Sequence, residues 1–265
     1  MKRAQPLHVR RAGPSHARQA LLVHGYPQSS WMWQAAQQEL AAADIHSVAV
    51  DLAGFGDSPT QPPGTWERQV EALERTHAEL GLDRVALVMH DWGSLIGLRW
   101  ACEHPSSVSA LVISSGGFFA DGKWHGLARS LRTPGEGEAV IEGFTRDGFD
   151  ALMGEAAPGI SAEAIAHYWK AFASEESRRG HLELYRSGDM EKLARYDGQL
   201  AELGVPTLLL WGEDDQFAPL AGARRFQREI PGAQLIALPG VGHFIWDEQP
   251  ERTSQELAGF LLKQS

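Results

Sequence analysis

The sequence has one cysteine, few positive charges and no long apolar run. Cys102 alone cannot form an internal disulfide or a thiolate metal cage, and its helical surroundings predict a place in the core. Lys and Arg number 24 against 34 Asp and Glu, and the net charge of −10 repels phosphate backbones and anionic lipids. No signal-peptide region or stretch of about eighteen apolar residues is present. We therefore expect a cytoplasmic protein that binds neither nucleic acid nor a membrane.

What is present describes an ordinary globular chain. The 265 residues are 43% hydrophobic and 22% charged, which is enough apolar surface for a large core. This length predicts one domain with a sizeable insertion rather than two full domains. The sequence leaves open whether the protein is a monomer or a homodimer.

Short apolar runs alternate with helical patterns along most of the chain. The predicted strands are Ala20–His24, Ser47–Val50, Val85–Met89, Ala110–Ser114, Thr207–Trp211 and Gln234–Leu238. The predicted helices are Trp31–Ala43, Thr65–Leu80, Ser94–Glu103, Leu220–Glu229 and Glu251–Leu262. This alternation is typical of an α/β fold with a mostly parallel, twisted sheet and helices on both faces.

The alternation stops between residues 119 and 202. Glycines, prolines and helical stretches replace it there, including a predicted helix at Ser161–Ser174 with Ser161 as its N-cap and another at Glu176–Tyr185. No strand-like run occurs in this segment. We expect a core domain of residues 1–118 and 203–265, with residues 119–202 inserted as an all-helical cap.

Chemically reactive residues follow several predicted strands, at the edge of the sheet where ligands bind. Asp91 follows Val85–Met89 and precedes a helix, which is the position of the nucleophile in a strand-turn-helix elbow. The usual residue there is serine, so a carboxylate disfavours a serine esterase. Asp214 and Asp215 follow a later strand and His243 follows the last one, so nucleophile, acid and base occur in the order that elbow-bearing hydrolases use.

Five segments together resemble the epoxide hydrolase and haloalkane dehalogenase group of the α/β-hydrolase fold superfamily. They are His24-Gly25-Tyr26-Pro27, Asp51-Leu52-Ala53-Gly54-Phe55-Gly56-Asp57-Ser58, His90-Asp91-Trp92-Gly93, Gly212-Glu213-Asp214-Asp215 and Gly242-His243-Phe244. The resemblance implies an α/β-hydrolase fold acting on a small molecule and water, without a cofactor. The segment before Ala20 is short for this family, which usually opens with a β-hairpin, so the sheet is expected to be one strand smaller.

The resemblance also implies roles for the reactive residues. Asp91 displaces a leaving group from an sp³ carbon and forms an ester, which water activated by His243 then hydrolyses. Asp215 orients the imidazole and stabilises its cation, and Asp214 is the alternative for this role. The backbone N–H groups of Tyr26 and Trp92 are the expected oxyanion donors.

The leaving group decides between the two activities. An epoxide oxygen needs an acidic O–H, and Tyr185 is the expected donor, because Tyr185-Arg186 resembles the cap element of epoxide hydrolases. A halide needs N–H donors, which the indoles of Trp92 and Trp124 could supply, with His125 beside them. Fluoroacetate dehalogenases carry Arg after the nucleophile, so Trp92 points to a neutral, apolar substrate. We favour an epoxide hydrolase, and a haloalkane dehalogenase remains the alternative.

Other motifs are expected to be structural. His24 and His90 are predicted to stabilise their turns by hydrogen bonds, and the glycines after Asp51 form a turn, since Pro59 replaces the third glycine of a dinucleotide site. The histidines show no metal-ligand spacing with a supporting carboxylate, so no metal site is expected.

Overall fold

Seven strands form one sheet in the computed structural model, which describes residues 3–264. The strands are β1 Val9–Ala12, β2 Arg18–Val23, β3 Ile45–Val50, β4 Val85–His90, β5 Val108–Ser114, β6 Thr207–Gly212 and β7 Gln234–Leu238. Their order in the sheet is β1-β3-β2-β4-β5-β6-β7, and every neighbouring pair is parallel except β1 with β3. The predicted mostly parallel sheet is confirmed.

The central strands are buried along their whole length. Every residue of β3, β4 and β6 is buried, so both faces of the sheet are covered, as their near-continuous apolar sequences predict. The register aligns the strand ends, because Val23 pairs with Met89 and His90 with Ser114. The loops that follow these strands therefore emerge along one edge of the sheet.

Six helices accompany the strands outside residues 119–202. They are α1 Gln34–Ala42, α2 Trp66–Glu79, α3 Trp92–Glu103, α10 Leu220–Glu229, α11 Ile245–Glu248 and α12 Pro250–Leu262. A 3₁₀ turn, Ser30–Trp33, leads into α1. Helix α1 packs on α12, and α2 packs on α3. The predicted helices are all found, with boundaries shifted by a few residues.

Strand β1 is the element that the sequence analysis missed. It pairs antiparallel with β3, Val9 opposite Val50 and Ala12 opposite Ser47. The strand has only four residues, two of them arginines, and lies at the edge of the sheet. It therefore lacks the apolar pattern that marks the buried strands.

Residues 119–202, all of them described, contain helices and no strand. The helices are α4 Gly126–Arg132, α5 Glu136–Gly143, α6 Arg146–Ala156, α7 Ala162–Trp169, α8 Glu175–Ser187 and the short α9 Gln199–Glu202. Ser161 caps α7 as predicted, since its hydroxyl accepts from the Ala164 N–H at 3.0 Å. The division of the chain into a core and a cap domain stays a prediction.

The single cysteine lies partly buried against the hydrophobic core. Burial raises the pKa of the Cys102 thiol to about 12, so the thiol stays protonated and unreactive near neutral pH. Between residues 3 and 264, no helix has both the length and the apolar character that crossing a bilayer requires.

Candidate active site

Four strand ends bring the predicted reactive residues together. Asp91 follows β4, Asp215 follows β6 and His243 follows β7, while the turn after β2 carries Tyr26. His243 lies between the two carboxylates, with Nδ1 2.9 Å from Asp215 Oδ2 and Nε2 3.6 Å from Asp91 Oδ2. The arrangement has the geometry of a nucleophile, base and acid triad.

Asp91 lies on a sharp turn between β4 and α3. Its backbone has φ 48° and ψ −119°, a sparsely populated conformation that only the surrounding packing can hold. Neighbouring backbone approaches so closely that a Cβ on Gly25 would lie 2.4 Å from Asp91 Cβ, and a Cβ on Gly93 would lie 2.2 Å from the Val23 carbonyl oxygen. Glycine is required at both positions for the elbow to form.

The two oxygens of Asp91 have different neighbours. Oδ1 accepts a hydrogen bond of 2.7 Å from the Tyr26 backbone N–H, and Oδ2 faces His243. Trp92 is the first residue of α3, so its N–H has no carbonyl partner within the helix. Oδ1 is thus held by the Tyr26 N–H, one of the two predicted oxyanion donors, and Oδ2 is left to react with a substrate.

Asp215 contacts His243 and is buried away from solvent. Its Oδ1 accepts from the backbone N–H groups of Phe217 and Ala218 at 2.9 and 2.8 Å. The side chain of Asp215 is 0% exposed and that of Asp91 is 21% exposed, so only the predicted nucleophile is open to a substrate. Asp214, the alternative acid, is exposed. The geometry favours Asp215 for orienting the imidazole.

The charges of the triad support one another. Burial acts to lower the pKa of His243, but the Asp215 and Asp91 carboxylates outweigh it and raise that pKa above its usual range. Burial would raise the pKa of Asp91 and of Asp215, whereas His243 holds both below their usual range. Before a substrate reacts, an imidazolium therefore lies between two carboxylates.

Two chambers meet at Asp91. The first, called here the apolar chamber, is a cavity of about 60 Å³. It is lined by Tyr26, Pro27, Asp91, His125, Leu127, Phe144, Phe149, Leu152, Met153, Ala156, Phe172, Tyr185, Phe217, His243 and Phe244. The second chamber shares Asp91, His125 and Phe217 with it and adds both Trp92 and Trp124. The two predicted sets of leaving-group donors thus face different chambers.

The predicted leaving-group residues form one aromatic cluster. The rings of Trp92 and Trp124 stack at 5.4 Å, and the Tyr185 ring meets the Trp92 ring edge-on at 5.3 Å. Burial and the Asp91 charge raise the pKa of Tyr185 well above its usual value, while a hydrogen bond with the Trp92 side chain lowers it. Tyr185 therefore stays neutral, and its hydroxyl proton is available.

His125 lies between the two chambers and caps α4. Its Nδ1 accepts from the Ala128 N–H at 3.4 Å, and its ring meets Phe217 edge-on at 5.1 Å. Burial lowers the pKa of His125, so the ring is neutral near pH 7. With Nδ1 accepting, the proton of the neutral ring lies on Nε2.

The motifs that were expected to be structural have structural contacts. His24 accepts from the Leu52 N–H at 2.9 Å, and His90 lies 3.1 Å from the Ser114 hydroxyl. Asp51 accepts from the backbone N–H groups of Ser30 and Asp57 at 2.7 and 3.0 Å. Asp51 also belongs to a group of three possible metal ligands with His8 and Asp57, which shares no residue with the active site.

The sequence analysis missed most of the apolar chamber. Phe149, Leu152, Met153 and Ala156 line it from one face of α6, and their spacing of three, four and seven residues is a helical stripe. That stripe was the one signal in the sequence that pointed to this wall of the chamber. It predicts a buried helix face but does not tell whether the face contacts protein or substrate.

Comparison with known proteins finds similar sequences and structures over nearly the whole chain. Residues 21–250 match the alpha/beta hydrolase fold family. A haloalkane dehalogenase of Sphingobium indicum is 28% identical over 92% of this chain and 88% of its own, and epoxide hydrolase 3 of Mus musculus is 26% identical over 96% and 73%. The crystal structure of the haloalkane dehalogenase DbeA from Bradyrhizobium elkanii superposes with a TM-score of 0.86 at 26% identity, covering 97% of this chain and 94% of that one.

Proposed function

The chain belongs to the α/β-hydrolase fold family, and from this premise we propose that it is an epoxide hydrolase. It would open a neutral, apolar epoxide to a vicinal diol through an ester on Asp91. The observation that carries the proposal is the apolar chamber, where Asp91, His243 and the Tyr185 hydroxyl face the same space. Relatives named as epoxide hydrolase and as haloalkane dehalogenase are both compatible with this chemistry.

The first step joins the substrate to Asp91. Oδ2 attacks an epoxide carbon while Oδ1 stays hydrogen-bonded to the Tyr26 N–H. The carbon–oxygen bond of the ring breaks, and the departing oxygen takes the proton of Tyr185. Because burial keeps Tyr185 neutral, its hydroxyl proton is the one that the site offers to the leaving group.

The second step releases the diol. His243 first gives its proton to the Tyr185 phenolate that the first step leaves, and the neutral ring then takes a proton from water as the resulting hydroxide attacks the carbonyl carbon of the ester. Negative charge then develops on the carbonyl oxygen of the ester, which is Oδ1 of Asp91. This oxygen lies 2.7 Å from the Tyr26 nitrogen. Collapse of this intermediate releases the diol and restores the Asp91 carboxylate, and the imidazolium remains paired with Asp215.

The lining of the apolar chamber supports a neutral substrate. Apart from the reacting groups and His125, every lining side chain is aliphatic or aromatic. Five phenylalanines line it: Phe144, Phe149, Phe172, Phe217 and Phe244. A charged group would lose its hydration there without gaining a partner, whereas an aryl or alkyl group would be well solvated.

A haloalkane dehalogenase is the second candidate, and the second chamber favours it. Trp92 and Trp124 both line that chamber beside Asp91, so two indoles could approach a departing halide. Against this, the Trp92 ring packs edge-on against the Tyr185 ring at 5.3 Å, so a halide at Trp92 would lie beside the Tyr185 side chain that the epoxide hydrolase needs.

The test is a paired assay of the purified protein with styrene oxide and 1-bromobutane, following diol and bromide. Diol formation alone supports the epoxide hydrolase, and bromide release alone supports the dehalogenase. If neither substrate is converted and a panel of larger apolar epoxides is not converted either, the proposed activity is wrong.

Tyr185→Phe should slow epoxide opening by about 10²- to 10⁴-fold, the usual contribution of a positioned acid. Bromide release should change by less than about tenfold, because a halide needs no proton. Trp124→Phe is the matched aromatic control and should give the reverse order of effects. Equal losses of both activities in Tyr185→Phe would contradict its role as the acid.

A further inference from the structure

A carboxylate outside the triad connects three parts of the site. Asp247, on α11, accepts a hydrogen bond of 2.8 Å from the Tyr168 hydroxyl at Oδ1. At Oδ2 it accepts one of 2.7 Å from the Gln28 side-chain amide. Tyr168 comes from α7 and Gln28 from the turn after β2, so one carboxylate joins helix α7, the turn of Tyr26 and the segment that follows His243.

Keeping the charged Asp247 carboxylate at this place costs free energy of folding. Burial raises the pKa of Asp247 to about 6, and the hydrogen bonds from Tyr168 and Gln28 act against that rise. Tyr168 and Gln28 are themselves fully buried. Asp247 is partly buried and paired only with neutral donors, so it contributes less to stability than an apolar side chain of similar size would, which favours a role in function.

The contact to Gln28 bears directly on Asp91. The Gln28 backbone N–H donates to the Gly25 carbonyl at 3.0 Å and closes the turn in which Tyr26 lies. Tyr26 in turn donates its N–H to Asp91 Oδ1. Holding the Gln28 side chain therefore fixes the direction of the N–H that faces the nucleophile.

Helix α7 contacts the residues after this turn at a second point. The rings of Trp31 and His167 stack with their centroids 3.7 Å apart. His167 directly precedes Tyr168 in the sequence, and Trp31 follows shortly after Gln28. The Asp247 contact is thus part of a packed junction and not an isolated surface pair.

We propose that Asp247 is a positioning residue: it holds the Gly25–Gln28 turn, and with it the Tyr26 N–H, against Asp91, and it joins this turn to α7 through Tyr168. The kinetic consequence rests on the proposed function. Because charge develops on Asp91 Oδ1 when the ester is hydrolysed, loosening this turn slows hydrolysis more than ester formation.

The direct test needs no substrate. Gln28→Met removes the donor to Asp247, and the side-chain oxygen of Gln28 has no hydrogen-bond partner to lose. Hydrogen exchange measured by mass spectrometry should increase in the peptide that contains Tyr26 and stay unchanged in peptides of β5. Glu251→Gln, an exposed acid four residues after Asp247, is the control and should match the wild type.

Single-turnover kinetics with styrene oxide then separate the two steps. Gln28→Met and Asp247→Ala should slow ester hydrolysis by about 10- to 100-fold, with ester formation changed less than about threefold. Asp247→Asn should recover most of the rate, because its amide oxygen still accepts from Gln28 and its N–H₂ donates to Tyr168.

Specific results would overturn the proposal. One is unchanged exchange at Tyr26 in a Gln28→Met protein with a wild-type melting temperature, and another is an equal loss in both kinetic steps. A wild-type protein that forms no ester would contradict the proposed function instead, and the exchange experiment would still decide the role of Asp247.

Discussion

Asp91→Asn should lower turnover by about 10⁴-fold or more, the scale expected when a covalent nucleophile is removed. The amide has no negative charge and cannot form the ester with an epoxide carbon. The fold should survive, because asparagine has the size and shape of aspartate and its side-chain oxygen can accept from the Tyr26 N–H, which donates to Asp91 Oδ1 at 2.7 Å. The measurements are kcat on the preferred substrate and the intact mass after incubation, which should show no adduct.

Asp91→Ala is the second variant, because it cannot regain a carboxylate. An asparagine here would lie close to His243, where hydrolysis of its amide would restore aspartate and activity. A slow recovery of turnover in Asp91→Asn with a mass gain of about 1 Da, absent in Asp91→Ala, would itself identify activated water at this position. Turnover within about tenfold of the wild type in Asp91→Ala would exclude Asp91 as the nucleophile.

The arrangement of the triad was predictable because each signal is local in the sequence. Each reactive residue follows a predicted strand, Asp91 directly and Asp215 and His243 a few residues later, and parallel strands bring their ends to one edge. Helix α10 and strand β7 were predicted to the residue, at Leu220–Glu229 and Gln234–Leu238. Helix α3 begins at Trp92, two residues earlier than expected, because the elbow passes directly from Asp91 into the helix.

What could not be predicted depends on contacts between distant residues. The Gln28–Asp247 hydrogen bond joins residues 219 positions apart, and neither residue belongs to a motif that suggests the other. Likewise, nothing in the sequence shows that the Trp92 ring packs edge-on against the Tyr185 ring, which brings the two predicted kinds of leaving-group donor into contact. Strand β1 was missed because edge strands need no apolar pattern.

His243→Gln should stop turnover after the first chemical step. Asp91 would still attack the epoxide, because neither its Oδ1 contact to Tyr26 nor the Tyr185 proton depends on the imidazole. Hydrolysis of the ester should slow by about 10²- to 10⁴-fold without the base, so the alkyl-enzyme accumulates. Mass spectrometry should find a stoichiometric gain equal to the substrate mass, located on the peptide that contains Asp91.

Charge explains why His243 acts only in the second step. In the free protein the Asp91 and Asp215 carboxylates raise the pKa of His243, so the ring is protonated and is no base. Ester formation removes the charge of Asp91, the pKa falls, and the proton can leave to restore the Tyr185 hydroxyl. Hydrolysis in the wild type should then speed up as the pH rises through this lowered pKa and level off above it, a dependence that His243→Gln should lack.

Two aspartates give the matched control for this scheme. Asp215→Asn removes the carboxylate that lies 2.9 Å from His243 Nδ1, and it should slow hydrolysis and lower the pKa in the pH profile. Asp214→Asn makes the same chemical change one residue away, on an exposed side chain, and should leave both the hydrolysis rate and the pKa unchanged.

If His243→Gln turned over normally, or if its ester hydrolysed at the wild-type rate, water activation would belong to another group. His125 would be the first to test, since it is neutral and lines both chambers beside Asp91.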